Sequence, residues 1–273
     1  MNEEPDIVYE DPPRVSELNG NESEADAATF AAACALLRRY TSRDCIAEAA
    51  ALLYAFVDAF ENWPQARHRL GAQTLGEWGQ DLRERRKACE RGLALLEAGH
   101  TAAAYAAILL AMDGMEPDDP RDERHLSLSL LTDELGAAMT NTGETLGMLS
   151  GRVSSTLSAR WTYDRLMADS PPMQEEAPTV ATDAPTIASG RTTPKTGIGV
   201  PITIRYGCPN VLIAGQPAPL MTRACRRFDY AASDGGGLEP PRPAWSAYEY
   251  VEEPAVWRMV WYDTRYRAGV LLA

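Results

Sequence analysis

The sequence predicts an α+β fold that is mainly α, with an N-terminal antiparallel helical bundle followed by a small strand-rich module. Three observations carry this. Up to residue 168 the apolar residues recur at three- and four-residue spacing in an alanine-rich background, the period of an amphipathic helix. From Lys195 onward β-branched residues alternate (Ile198, Val200, Ile202, Ile204), the two-residue period of a strand. Between the two lies a Pro-, Ala- and Thr-rich stretch, SPPMQEEAPTVATDAPTIASGRTT, with no sustained period. The expected organisation is an acidic irregular arm over 1–21, a helical bundle over 22–168, a stiff linker over 169–194 and a β-rich module over 195–273.

The first helix is expected to start near Asn21 or Ser23, either of which can cap it, and to end at Arg39 or Tyr40. Ser42 caps the second, whose apolar face (Cys45, Ala49, Leu52, Leu53, Phe56, Phe60) keeps helical spacing until Asn62 and Pro64; the two pack as an antiparallel pair. A third helix runs from Leu75 to Ala98, with Gly99 closing it and the basic run Arg83 to Lys87 on a solvated face paired with nearby glutamates. Thr101 to Met112, small-residued almost all round, is a central helix that neighbours approach closely. From His125 to Met167 the spacing describes one long helix or two joined at a kink, with Gly143, Gly147 and Gly151 along one face.

In the module, Lys195 to Leu220 is a hairpin with a Gly207–Asn210 turn and a rigid Gly215–Pro219 corner. The closing strand spans Ala255 to Tyr262, with Trp257, Met259 and Trp261 on one face and Arg258, Val260 and Tyr262 on the other.

Composition narrows function by exclusion. A chain of 273 residues, 45% apolar, can bury a substantial core, and its change of character favours two domains over one. A net charge of −13 argues against a nucleic-acid or anionic-membrane binder and for a basic partner. No basic-then-apolar leader opens the sequence, and its longest apolar run falls short of the ~20 residues that span a bilayer, so a cytosolic location is expected. Five widely spaced cysteines without a CxxC pair fit reduced thiols.

No catalytic, cofactor or metal set emerges. The three histidines stand apart, and no P-loop, nucleophile elbow or dinucleotide fingerprint occurs. The acidic loop Asp113 to Arg124 lacks the alternating oxygen ligands and turn glycine of a calcium loop, and reads as part of a negative surface. Cys208, in a tight turn, is either a small apolar turn residue or the nucleophile of a hydrolase that would need a histidine from elsewhere in the fold.

Three motifs remain: Thr196-Gly197 with Pro201; Cys208, Asn210, Leu212, Gly215, Pro217, Ala218 and Pro219; and Trp257, Arg258, Trp261, Asp263, Arg265 and Tyr266. With these the part of the chain after Lys195 resembles immunity proteins of bacterial polymorphic and contact-dependent toxin systems. The resemblance implies a protein that binds and neutralises a co-encoded toxin, one acting in the cytosol and basic enough, as a nuclease would be, to meet an acidic surface. The candidate contacts are Asp118, Asp119, Asp122 and Glu123 in the acidic loop, and Trp257, Trp261, Asp263 and Arg265 in the motif strand. For the last four a second reading stands beside the first: the tryptophans hold the module against the helices, and Asp263 and Arg265 pair locally. An accessory protein that delivers an effector remains an alternative.

Overall fold

The computed structural model describes residues 9–10, 27–63, 66–113, 142–168, 184–203, 207–228 and 245–266. Among these the chain is mainly helical, with two antiparallel sheets. The helices are α1 (Ala27–Tyr40), α2 (Arg43–Glu61), α3 (Ala66–Glu97), α4 (Thr101–Met112), α5 (Thr142–Leu157) and α6 (Tyr163–Met167). The strands are β1 (Tyr9–Glu10), β2 (Thr186–Ala188), β3 (Gly197–Pro201), β4 (Asn210–Leu212), β5 (Met221–Phe228), β6 (Trp245–Glu253) and β7 (Val256–Tyr262). No helix among the described residues is long and apolar enough to cross a membrane.

Local chemistry sets the helix ends. Ser42 Oγ accepts the Cys45 amide at 3.2 Å, satisfying one orphan N–H at the start of α2. At the end of α3, Gly99 takes φ 79°, and the Gly99 and His100 amides reach back to the Leu96 and Leu95 carbonyls at 3.0 and 2.8 Å. The same pair of bonds closes α5, from Ala159 to Thr156 and from Arg160 to Ser155, with Ala159 at φ 55° in place of a glycine. This break divides α5 from α6.

Two expectations differ from what is found in the helices. α3 begins at Ala66, nine residues before Leu75, because its first turns are polar and carry no apolar period. The main partners of α2 are α3 and α5, and it touches α1 only lightly. The close approach at α4 comes through α3, where a Cβ added at Gly92 would meet Ile108 Cγ1 at 2.6 Å. The basic run of α3 meets glutamates as expected, Arg86 to Glu90 and Arg83 to Glu61, each at 3.2 Å, and Arg86 also reaches Asp58 of α2 at 2.6 Å.

The strands form two sheets, ordered β1-β5-β6 and β2-β7-β3-β4. β3 and β4 make the expected hairpin, Gly197 opposite Leu212. Two strands lie where none was expected: β2, inside the presumed linker, pairs with β7, and Tyr9–Glu10, inside the presumed irregular arm, pairs with β5. The second sheet has two clothed faces. One joins the helical core, where Ile198, Cys208 and Val211 share a single hydrophobic cluster with α1 to α6. The other covers a smaller cluster of Ile187, Leu212, Ala218, Met221, Ala255, Trp257 and Met259.

Candidate functional site

The motif strand β7 does not keep one alternation along its length. Ile198 pairs with Trp261 and the next residue, Gly199, with Met259, so Val260 is an extra residue, a β-bulge. A one-residue slip moves every later side chain to the opposite face. Trp257 and Met259 therefore point into the small cluster, Val260 and Trp261 pack on the helical core, and Tyr262 returns to the small cluster. This corrects the expectation that Trp257, Met259 and Trp261 share a face.

Trp257 is fully buried, its indole N–H donating to the Pro219 carbonyl at 2.9 Å. It presents no surface to a partner and holds the corner of the module to its last strand. Trp261 is half-buried between two guanidiniums, with Arg38 at 6.0 Å and Arg265 at 5.0 Å from its ring centre.

Beyond β7 the chain turns onto the C-terminal end of α1. Asp263 has its side chain only 1% exposed. Its carboxylate accepts from Arg265 Nε and Nη2 at 2.9 and 2.8 Å, from the Arg265 amide at 3.2 Å and from the Tyr105 hydroxyl at 3.0 Å. The guanidinium then donates to the Arg38 carbonyl at 2.7 Å and to Thr41 Oγ1 at 2.8 Å, while Tyr266 Oη donates to the Thr41 carbonyl at 3.0 Å. The last carbonyls of a helix have no partner within it. Arg265 and Tyr266 supply the donors that the end of α1 lacks, with positive charge where the helix dipole favours it.

Electrostatics match the geometry. Burial pushes Arg265 down, and the hydrogen-bonded Asp263 carboxylate more than reverses this, so the guanidinium stays charged. Burial, with the Asp263 carboxylate second, holds the Tyr105 phenol well above its ordinary range. The expectation that Asp263 and Arg265 pair locally holds, and Asp263 faces inward instead of toward a partner. Tyr105 and Thr41 were not singled out from the sequence. The signal for Tyr105 was there: a lone tyrosine in the apolar run of α4 needs a partner for its hydroxyl.

A second tie lies at Asn210, the fully buried first residue of β4. Its Oδ1 accepts the Trp161 amide at 3.0 Å and its Nδ2 donates to the Trp161 carbonyl at 3.1 Å, so the side chain imitates a strand neighbour for the α5–α6 connector. Cys208, two residues earlier, is 2% exposed in the shared core, which leaves a substrate little approach to its sulfur. Cys34, Cys45 and Cys89 are free and buried, and burial pushes their thiols up to about 12, 11 and 11. Among the described residues no three His, Cys, Asp or Glu side chains converge where they could hold a metal ion.

The ties leave an open cleft along the seam. It measures about 600 Å³ and lies between α4 (Ala102, Ala106, Leu109, Leu110), the end of α5 (Leu157, Ala159) and the module (Val211, Ile213, Pro217, Pro219). Leu110 stands 70% exposed at its edge, the most exposed large apolar side chain among the described residues. The strained Ala159 sits in its wall. Asp118, Asp119, Asp122 and Glu123 lie outside the described residues.

Fold and site together define an α+β protein whose strand-rich part is fastened to a helical bundle by an Asp–Arg–Tyr clamp and an asparagine bridge. Compared with known protein families, with curated proteins and with solved structures, the chain shows no match.

Proposed function

We propose that this chain is an immunity protein that binds and neutralises a cognate, co-encoded toxin acting in the cytosol, and that the seam cleft receives the toxin. The observation that carries the reading is the apolar cleft with Leu110 at 70% exposure, on a helix with no charged residue. Exposed apolar surface of this kind marks interaction sites, and buried anchors at the centre of an interface carry most of its energy. Of the motif residues, Trp257 and Asp263 are engaged inside the chain, which moves the expected contact from the motif strand to the cleft beside it.

Charge supports a basic partner in a particular way. From Ala27 to Asp113 the chain has ten acidic and ten basic residues, so the helical body is neutral. The negative charge is concentrated in residues 1–26, with nine acidic residues against Arg14, and in residues 114–141, with seven acidic residues against two arginines. Such flanks would speed the approach of a basic toxin while the cleft holds it.

The test is co-expression with the product of the adjacent gene, scoring growth and co-purification. Wild type is expected to restore growth and to co-purify with the toxin. Leu110→Asp is expected to lose both while keeping the wild-type melting temperature, since the side chain is solvent-facing. Full protection by Leu110→Asp would refute the cleft as the contact, and a stable complex without protection would point to a carrier of effectors.

A further inference from the structure

α4 carries no charged residue, yet one row of it, Ala103, Ala106 and Leu110, is exposed. A helix apolar on every side is ordinarily covered on every side. Ala106 and Leu110 border the seam cleft, and Ala103 borders a second cavity of about 680 Å³ with Gly99, His100, Lys195, Ala214 and Tyr262. Ala102 lines both, so one groove follows the length of α4, about 18 Å for its 12 residues. The module's side of this groove has no backbone N–H to give between Ala214 and Pro219. The Ala214 amide donates to Thr196 Oγ1 at 3.0 Å, and those of Gly215, Gln216 and Ala218 donate to the Thr193, Ile213 and Arg191 carbonyls at 2.9, 3.1 and 2.8 Å. Pro217 and Pro219 have none. An extended chain laid here would bury carbonyls without donors, at about 1–3 kcal/mol each, whereas a helix arrives with its backbone already paired.

The ends of the groove are opposite in charge. Asp113 is exposed at one end, and Lys195 is exposed at the other, its ammonium 5.3 Å from the Tyr262 ring centre. The dipole of α4 runs in the same sense, positive beside Lys195 and negative beside Asp113, and no acidic residue in the first turn offsets it. Resting on the immunity reading above, we propose that the partner fills this groove with a single helix of about three turns, antiparallel to α4. Its N-terminal end lies over Asp113 and its C-terminal end beside Lys195, so that both dipoles and both charges are matched. Its facing side carries bulky apolar residues over Ala103 and Ala106 and a small residue against Leu110, because the row is shallow at the alanines and raised at the leucine.

The experiment uses the full chain co-purified with the product of the adjacent gene, with a photo-crosslinking phenylalanine placed at Ala103 or at Leu110 and the attachment sites read by mass spectrometry. The two positions are about 10 Å apart along α4, so the partner residues they capture are expected to lie about seven apart in its sequence, the one taken by Leu110 coming first. Attachment sites about three apart would mean a strand, sites in separate segments a composite surface, and the reverse order a parallel helix; each overturns the proposal. Ala106→Trp, at an exposed position midway along the row, is expected to weaken binding at least tenfold with the melting temperature kept, and affinity equal to wild type would overturn it as well. A wild-type chain that forms no complex refutes the immunity reading and this proposal with it, whereas a complex that crosslinks elsewhere, or tolerates Ala106→Trp, refutes the helix alone.

Discussion

The Asp263–Arg265 clamp yields the sharpest prediction. Asp263→Ala removes the acceptor of four hydrogen bonds and strands a guanidinium whose side chain is 31% exposed beside the end of α1. Breaking a buried pair from one side costs about 3–5 kcal/mol, and the partial exposure of Arg265 places this variant near the lower end. Arg265→Met does the converse damage: it leaves a carboxylate 1% exposed with Tyr105 as its remaining side-chain donor, and takes the donors from Arg38 and Thr41. Its cost belongs at the upper end of the same range.

Asp263→Ala with Arg265→Met removes both charges together. The loss is then the hydrogen bonds to the end of α1, at about 1 kcal/mol each, because no charge is left buried alone. The two single changes should therefore sum to about 8 kcal/mol against about 2 kcal/mol for the double change, a coupling of about 6 kcal/mol. Urea denaturation followed by circular dichroism reads all four corners of the cycle, and for a chain of this size a loss of about 3 kcal/mol lowers the melting temperature by about 6–12 °C. Additive single costs, or a loss below about 1 kcal/mol for Asp263→Ala, would show that the clamp is wet and exchangeable and that apolar packing and the Asn210 bridge fasten the module without it.

Two further predictions concern stability. Gly92→Ala is expected to destabilise by about 1–3 kcal/mol, since the new methyl would meet Ile108 Cγ1 at 2.6 Å and the Ala104 carbonyl at 3.2 Å, whereas Gly76→Ala, in open space on the same helix, is expected to stabilise by about 1 kcal/mol; thermal melts of the pair check both. Stability is also expected to fall at alkaline pH. Cys34, Cys45 and Cys89 have folded pKa values raised above the ordinary 9.0, so above pH 9 the unfolded chain releases protons that the folded chain keeps, and stability drops as pH rises. At 1.36 kcal/mol per unit for each group the three thiols remove about 4 kcal/mol by pH 10, and the raised phenols of Tyr105 and Tyr163 add to the loss above that. Urea midpoints from pH 7 to 10.5 measure it; a flat profile through pH 10 would mean that the thiols reach solvent.

What the sequence disclosed follows from the range of each interaction. Ser42, Gly99 and the helical period of α2 act within a few residues and were legible. β2 was not, because three residues among prolines carry no period. β5 and β6 were not, because their charged and aromatic residues follow no apolar alternation. The face of Trp261 was misread for a different reason: the bulge at Val260 is a property of the pairing with β3, and a strand read alone does not show it. The cleft, too, exists only once α4, α5 and β4 are brought together.

Asp263 shows where the limit lies. Its pairing with Arg265 spans two residues and could be read directly, but Tyr105 and Thr41 lie 158 and 224 residues from the groups they bond; the lone tyrosine of α4 shows that a partner is needed, and nothing local says which. The spacing of Asp263, Arg265 and Tyr266 nonetheless has a mechanical logic. An Asp and an Arg two apart, just past the end of a strand, brace each other, so the guanidinium loses little further freedom when it meets the helix end. Tyr266 then follows onto the Thr41 carbonyl. Such a motif can hold a strand module against any helix that ends nearby, whatever else the surface does. If the chain neutralises a toxin, the identity of that toxin is therefore decided at positions the motif leaves free, above all Leu110 and its neighbours on α4. A variant that keeps the clamp and changes those positions should alter which toxin is bound without altering the melting temperature, and a clamp variant should do the reverse.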